Sequence, residues 1–333
     1  MLRFLRVKLL PTVLLNVLVA AVISGGPWDP ILTLLMLLQG TCLYLFGMGL
    51  NDRIDLERDR KNAEAGLQPA RPLVSGEIQL QTADRLIGFF FLGSLFTAVA
   101  IYLLKREAAM EGLLLIAATL GFILLYNCCF KLVPILGPLC MGLVRGSLIF
   151  SASTLQQGSL PDWTSLASQH AIAMTIYIFA VTHFSMEEER SRTSALKVRK
   201  AGVLIAFTLP FLCVYLFGDG DMTTSLLVLF LHALLYAYFL TRPHPPLPPQ
   251  RTTFLFLAFM TWIDFVFLWA DASERHFTAS PSQTVSTTED ILSMLGIPLW
   301  MILWFLWVIF GLGFRDRTLQ SARKNSSNER PAP

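Results

Sequence analysis

Charged residues are scarce in this chain of 333 residues, where Asp, Glu, Lys and Arg together make up only 15%. A soluble domain carries about 25% charged residues and roughly 45–50% apolar ones, whereas the hydrophobic share here is 54%. Too few ionisable side chains remain to cover the surface of a soluble globule of this size. The scarcity excludes a soluble enzyme and a disordered chain, and it indicates a protein with many membrane spans.

Paired cysteine motifs are also missing. None of the five cysteines stands in a C-x-x-C spacing, and all lie in or at the ends of apolar stretches. A free cysteine in such a place acts mostly as a small hydrophobic side chain, so neither a disulfide framework nor a zinc site is indicated. The net charge of +3 argues against a nucleic-acid partner. The sequence gives no indication of an oligomeric state.

Apolar stretches of membrane-spanning length follow one another along most of the chain. A helix needs about 20 apolar residues to cross a hydrocarbon core of about 30 Å. On that basis we expect an all-α, polytopic helical bundle of nine to ten spans, the first of them short. The candidate spans are residues 9–24, 30–50, 83–104, 112–128, 133–154, 168–186, 201–217, 223–241, 253–271 and 291–313.

The distribution of basic residues gives the orientation of these spans. With the N-terminus placed in the cytoplasm, 22 of the 26 Lys and Arg residues fall in cytoplasmic segments and three fall outside. Lys and Arg collect on the cytoplasmic side of membrane proteins, so both termini are expected there. We expect one transmembrane domain over residues 1–313, a disordered cytoplasmic tail over 314–333, and a bacterial inner membrane as the location.

The second span ends in a dense group of acidic residues. If the helix continues past Leu50, Asp52, Asp55 and Asp59 stand at positions i, i+3 and i+7, which places them on one face with Asn51 beside them. Three converging carboxylates repel one another unless a cation neutralises them, and hard oxygen ligands suit Mg²⁺. The alternative is a solvated group of charges at the membrane surface. Nearby basic residues are suited to phosphate or to lipid head groups: Arg53, Arg58, Arg60 and Lys61.

These residues resemble the N-D-x-x-D-x-x-x-D motif of the UbiA superfamily of intramembrane prenyltransferases, at every fixed position of 51–59. Residues 71–78 are similar to the family's R-P-[LI]-x-S-G-x-I segment, and Tyr126-Asn127 with Lys131 resembles its tyrosine-and-lysine loop. Residues 141–146 resemble the M-G-L-x-R-G stretch of the EboC-like branch.

The resemblance implies a helical bundle that transfers a prenyl group from a prenyl diphosphate to a small acceptor within the membrane, with Mg²⁺ as cofactor. The acceptor is expected to be aromatic or a lipid precursor. The metal ligands would be Asn51, Asp52, Asp55 and Asp59. The diphosphate would be held by Arg71, Lys131, Arg145 and Arg192, while Tyr126 and Glu188 would help to orient the metal or the acceptor.

The sequence departs from the family at its second acidic motif, a D-x-x-x-D on the sixth helix. Residues 182–192 contain no Asp, and no two carboxylates there stand at i and i+4. Glu188 is the nearest replacement for the first aspartate, and Arg192 takes the place of the second. A bidentate arginine performs part of the work of a second metal. The departure leaves an alternative open, namely a membrane protein that binds an isoprenoid without transferring it, as part of a biosynthesis or export system.

Two charged residues inside predicted spans are uncommon and have two interpretations each. Arg145 in the fifth span is expected to face the bundle interior and to pair with an anion, either a substrate group or Asp264. Asp264 in the ninth span serves helix packing or acceptor binding. His183 is a candidate acid–base group or a hydrogen-bonded helix residue, whereas His170 shows no partner in the sequence. A secondary transporter is disfavoured because the polar residues gather at the cytoplasmic ends of the spans.

Overall fold

Six main helices and one short one form the described part of this computed structural model. It describes residues 4–66 and 70–190 and six helical positions further along: 260, 263, 264, 267, 268 and 271. The helices are α1 (Leu10–Val22), α2 (Pro30–Ile54), α3 (Leu56–Glu64), α4 (Leu80–Lys105), α5 (Met110–Leu125), α6 (Leu136–Gln157) and α7 (Leu166–Arg190). The described ranges contain no strand, which confirms the predicted all-α class.

The first six predicted spans coincide with α1, α2 and α4–α7. Four segments are long and apolar enough to cross a membrane: Pro30–Ile54, Leu80–Lys105, Met110–Phe130 and Leu136–Gln157. Helix α1 has 13 residues and rises about 20 Å at 1.5 Å per residue, so it is shorter than the predicted first span of 9–24. Of the later predicted spans, only the six positions between 260 and 271 are described.

The ends of the helices follow from local sequence. The Asp29 carboxylate accepts a hydrogen bond from the backbone N–H of Leu32 (3.0 Å) and therefore caps the start of α2, where Pro30 occupies the first helical position. Between α5 and α6 the chain forms a π-turn over Tyr126–Phe130. Helix α6 ends at Gln157 and is followed by Gly158, which has a φ of 86° that favours glycine.

The core lies where α1, α2, α6 and α7 meet, and their apolar side chains form one continuous cluster. Leu32 and Leu43 of α2, Ile149 and Leu155 of α6, and Met174 of α7 are almost wholly buried there. In contrast, α4 presents a row of exposed apolar side chains, among them Phe89, Leu92, Phe96, Val99 and Leu103. A row of this kind on a helix of spanning length suits contact with lipid tails.

Two glycines let α6 and α7 pack closely. A Cβ atom at Gly142 would lie 2.5 Å from the backbone oxygen of Thr175, and one at Gly146 would lie 1.9 Å from the Thr175 hydroxyl oxygen. Small residues four apart are the usual means by which membrane helices approach each other. Both glycines belong to residues 141–146, so this stretch, which includes Arg145, forms part of the close contact between α6 and α7.

Replacement of Gly142 by alanine is expected to destabilise the α6–α7 pair by about 1–3 kcal/mol, the usual cost of an overpacked contact. The backbone of Thr175 cannot move away as a flexible side chain would. Gly88→Ala on α4 is the matched control, since nothing lies within 4 Å of its added Cβ. The measurement is the thermal unfolding of the purified protein in detergent. Equal melting temperatures for the two variants would contradict the close contact.

Candidate functional site

The acidic group of residues 51–59 is buried at one end of the bundle. Asn51 is 8% exposed, Asp52 4%, Asp55 5% and Asp59 5%. The backbone N–H of Asp55 donates to Asn51 O (3.1 Å) and that of Asp59 donates to Asp55 O (2.8 Å). Helical hydrogen bonds thus continue across the junction between α2 and α3, and they keep the carboxylates on one face, as the spacing predicts.

One guanidinium nitrogen joins the three carboxylates. Arg71 Nη1 lies 3.0 Å from Asp52 Oδ1, 3.1 Å from Asp59 Oδ2 and 3.8 Å from Asp55 Oδ2. Arg71 begins a turn after α3, where the backbone N–H groups of Val74 and Ser75 both donate to its carbonyl oxygen. This turn brings the 71–78 segment over the acidic face, so the two sequence motifs form one site.

Lys131 reaches the same face from the end of the π-turn. Its ammonium group donates hydrogen bonds to Asn51 Oδ1 and to Asp55 Oδ2 and lies 6.0 Å from the centre of the Tyr126 ring. The Lys131 N–H donates to Tyr126 O over 2.9 Å, a bond that spans five residues instead of the four of an α-helix. The wider turn places Tyr126 and Lys131 on the same side.

A third cation at this face, absent from the predicted site, is Arg6. Its Nη2 lies 2.9 Å from Asp52 Oδ1, and its carbonyl oxygen accepts a hydrogen bond from the Tyr44 hydroxyl (3.0 Å). Arg6 has a φ of 47°, which is uncommon for a residue other than glycine and recurs at functional sites. Arg6 is one of the basic residues before the first span, which in the sequence indicate only the orientation of the chain.

Burial and like charge set the electrostatics of this face. Burial raises the pKa of Asp59, and the neighbouring charges of Asp55 and Asp52 raise it further, while Arg71 opposes both. Burial lowers the pKa of Lys131, whereas the hydrogen bond to Asp55 and its negative charge act to raise it. Each ionised group on this face is therefore stabilised by its partners of opposite charge. A ligand ion that replaced one of these partners would have to supply the same electrostatic stabilisation.

The donor set fits Mg²⁺ in its chemistry, because it consists only of carboxylate and amide oxygens. The three carboxylates converge on one Arg71 nitrogen, which shows that they can share a cation. In the ranges that the structure describes, however, no three His, Cys, Asp or Glu side chains stand at metal-binding distances from one another. Arg71 and Lys131 occupy the space between the carboxylates, so a metal would bind by displacing these ion pairs.

The second half of the predicted site is described only in part. Glu188 lies in the last turns of α7, but its side chain is outside the described set, and Arg192 lies outside the described residues. Of the ten predicted site residues, the structure brings seven together at one end of the bundle. They are Asn51, Asp52, Asp55, Asp59, Arg71, Tyr126 and Lys131.

Arg145 does not join this group. It lies nine residues beyond the start of α6, which is about 14 Å along the helix axis, and no described ion pair links it to the three carboxylates. Among the described residues its Nη1 atom is buried and makes no hydrogen bond. No described hydrogen bond or ion pair joins Arg145 to Asp264 either, so both interpretations of Arg145 stay predictions.

Asp264 belongs to a buried polar cluster that the sequence did not predict. Asn16 Nδ2 lies 2.7 Å from each Asp264 oxygen, and His170 Nε2 lies 2.8 Å from Asp264 Oδ1. All three side chains are 0% exposed. The sequence gave no sign of a partner for His170, since Asp264 is 94 residues away in the chain.

The helical membrane bundle carries buried carboxylates and cations at one end. Such an arrangement is suited to an intramembrane enzyme with an anionic substrate. The sequence model of the UbiA prenyltransferase family matches residues 9–263. The chain therefore belongs to the UbiA prenyltransferase family, and it is a membrane prenyltransferase of the UbiA type. A comparison with curated proteins gives no match.

Solved structures of UbiA homologues share this fold. A UbiA homologue from Archaeoglobus fulgidus bound to GPP and Mg²⁺ is 19% identical, with a TM-score of 0.54 over 80% of this chain and 98% of that one. The apo UbiA homologue from Aeropyrum pernix K1 is 18% identical, with a TM-score of 0.56 over 83% and 100%. A digeranylgeranylglyceryl phosphate synthase is 20% identical, with a TM-score of 0.52 over 81% and 95%.

Replacement of Arg71 by glutamine is expected to destabilise the metal-free protein by about 1–3 kcal/mol, because the buried carboxylates lose a hydrogen-bond donor and the cation that they share. Added Mg²⁺ should then raise the melting temperature of this variant more than that of the wild type. Arg53→Gln is the matched control, since Arg53 pairs with Asp84 in an exposed ion pair. An equal response to Mg²⁺ in Arg71→Gln and wild type would contradict a shared cation position.

Proposed function

We propose that this protein transfers a prenyl group from a prenyl diphosphate to a small acceptor inside the membrane in a Mg²⁺-dependent reaction. The observation that carries the proposal is the convergence of three buried carboxylates on Arg71, with Lys131 and Arg6 beside them. Paired anionic and cationic groups of this kind suit a metal diphosphate, since the carboxylates hold the metal and the cations hold the phosphate oxygens.

Each residue of the site has a role in this proposal. Mg²⁺ would be held by Asn51, Asp52, Asp55 and Asp59, and when bound it neutralises charge on the departing diphosphate. With a metal on these oxygens, Arg71, Lys131 and Arg6 would be free to bind diphosphate oxygens in place of their carboxylate partners. Arg192 adds a further cation, while Tyr126 and Glu188 orient the substrates.

The reaction balances without a further reagent. The bond between the prenyl C1 and the diphosphate oxygen breaks, and its electron pair leaves with the diphosphate. A nucleophilic atom of the acceptor forms a new bond to C1 and loses a proton. The protein contributes by orienting the two substrates and by excluding water from the reacting carbon. The apolar interior of the bundle suits the prenyl tail, and its homologue bound to GPP and Mg²⁺ supports this class of substrate.

The topology proposed for the enzyme places this site at the cytoplasmic face. The basic residues of the site fall in segments that the charge count assigns to the cytoplasm, together with both termini. A bacterial inner membrane would then supply the prenyl diphosphate from its cytoplasmic leaflet. The acceptor is proposed to be an aromatic compound or a lipid precursor.

The double substitution Asp55→Asn, Asp59→Asn is expected to abolish Mg²⁺-dependent pyrophosphate release, by at least a hundredfold, because it removes two of the charges that hold the cation. The assay uses membranes that contain the protein, labelled prenyl diphosphates of several chain lengths and a metabolite extract. Asp84→Asn is the control, since Asp84 is an exposed partner of Arg53. Full activity in the double variant would overturn the proposal.

A second function is favoured by one specific observation, the missing D-x-x-x-D in residues 182–192. A protein without a second metal site could bind the prenyl diphosphate and retain it. The same assay separates the two functions. Mg²⁺-dependent binding without pyrophosphate release in the wild type would establish a binding protein, and labelled product would establish a transferase and identify the acceptor.

A further inference from the structure

We propose that Tyr44 is a positioning residue for the diphosphate substrate, because its hydroxyl group fixes the backbone of Arg6 and so holds the Arg6 guanidinium at the acidic face. This inference rests on the proposed function, in which Arg6 binds diphosphate oxygens. It gives the chain before α1 a part in the site, beside the two sequence motifs of residues 51–59 and 71–78.

Arg6 has a backbone conformation that an L-amino acid rarely adopts. Its φ of 47° and ψ of 38° lie in the left-handed helical region, where the Cβ atom crowds the following carbonyl oxygen. Such a conformation persists only where the surrounding structure imposes it, and it recurs at functional sites. The contacts around Arg6 therefore show what holds this residue in place.

The carbonyl oxygen of Arg6 accepts two hydrogen bonds. The Tyr44 hydroxyl donates one over 3.0 Å, and the backbone N–H of Leu9 donates the other over 2.9 Å. A carbonyl oxygen has two lone pairs, so both acceptor positions are used. The bond from Leu9 is local, within the short 3₁₀ turn that precedes α1. The bond from Tyr44 attaches the backbone of Arg6 to α2.

Helix α2 also holds the other end of Arg6. Arg6 Nη2 lies 2.9 Å from Asp52 Oδ1, and Asp52 follows Tyr44 by eight residues, about 12 Å along the helix axis. In the proposed function Asp52 turns to Mg²⁺, and the bond from Tyr44 to the Arg6 backbone remains. An arginine that is held in place in this way loses less conformational freedom when it binds a phosphate oxygen.

Apolar contacts hold the chain just before Arg6. Phe4 is 0% exposed and Leu5 is 3% exposed, and both lie in one cluster with Ile78. Ile78 ends the segment that Arg71 begins, so the two segments that carry arginines to the acidic face pack together. Apolar packing is not directional, whereas a hydrogen bond is. The Tyr44 hydroxyl is therefore the group that sets the direction of the Arg6 carbonyl.

The test is the binding of magnesium pyrophosphate to the full-length protein in lipid nanodiscs, which requires neither an acceptor nor turnover. Tyr44→Phe removes the hydroxyl and keeps the ring. It is expected to weaken pyrophosphate binding about tenfold, which is the effect of one lost hydrogen bond. Tyr102→Phe is the matched control, since Tyr102 is 46% exposed on α4, and it should bind pyrophosphate as the wild type does.

A double-mutant cycle separates positioning from a general structural role. Arg6→Gln alone is expected to weaken pyrophosphate binding about tenfold. Adding Tyr44→Phe to Arg6→Gln should cause little further loss, because the hydroxyl acts through the guanidinium. A hydroxyl that only supports the fold would weaken binding by the same factor in both backgrounds, and that result would overturn the inference.

Equal pyrophosphate binding by Tyr44→Phe and wild type would also overturn the inference and leave the proposed function intact. Unchanged binding in Arg6→Gln would do the same, since Tyr44 would then have nothing to position. This second comparison decides even if Tyr44→Phe does not fold. No binding of magnesium pyrophosphate by the wild type would overturn the proposed function, and the role of Tyr44 with it.

Discussion

Repulsion among three buried carboxylates is the constraint on which one end of this helical bundle depends. Asp52, Asp55 and Asp59 are brought together by helix geometry, and three different segments supply the cations that make this possible. Arg6 comes from the chain before α1, Arg71 from the turn after α3, and Lys131 from the end of a π-turn. The acidic face therefore gathers distant parts of the chain, and under the proposed function the same groups would exchange partners on binding a metal diphosphate.

A second polar centre holds the interior of the bundle together. Asp264 accepts hydrogen bonds from Asn16 of α1 and from His170 of α7. In a low-dielectric interior these contacts are strong, and a missing partner is costly. The bundle thus has charge at two levels, one at the membrane surface and one inside, with apolar packing between them. The close contact of α6 with α7 through Gly142 and Gly146 connects the two levels.

Local spacing predicted the acidic face well, because a helix of known geometry fixes which residues share a side. Hydropathy also predicted the positions of α2 and α4–α6, because each of these helices is a long apolar segment. The role of Arg6 and the pairing of His170 with Asp264 could not be predicted in this way. Both depend on contacts between residues far apart in the chain, 46 and 94 positions respectively, and periodicity along one helix carries no information about them.

The π-turn at Tyr126–Phe130 makes the connection between α5 and α6 sensitive to length in a way that ordinary loops are not. Each residue of an α-helix adds about 100° of rotation. The loss of one residue here would therefore turn Lys131 away from α2, although the chemical character of the remaining side chains would not change. Loops between helices commonly tolerate insertions and deletions. This one combines the positions of an aromatic ring and an ammonium group in a single wide turn, so a change in its length would move Lys131 away from Asn51 and Asp55 without substituting any residue.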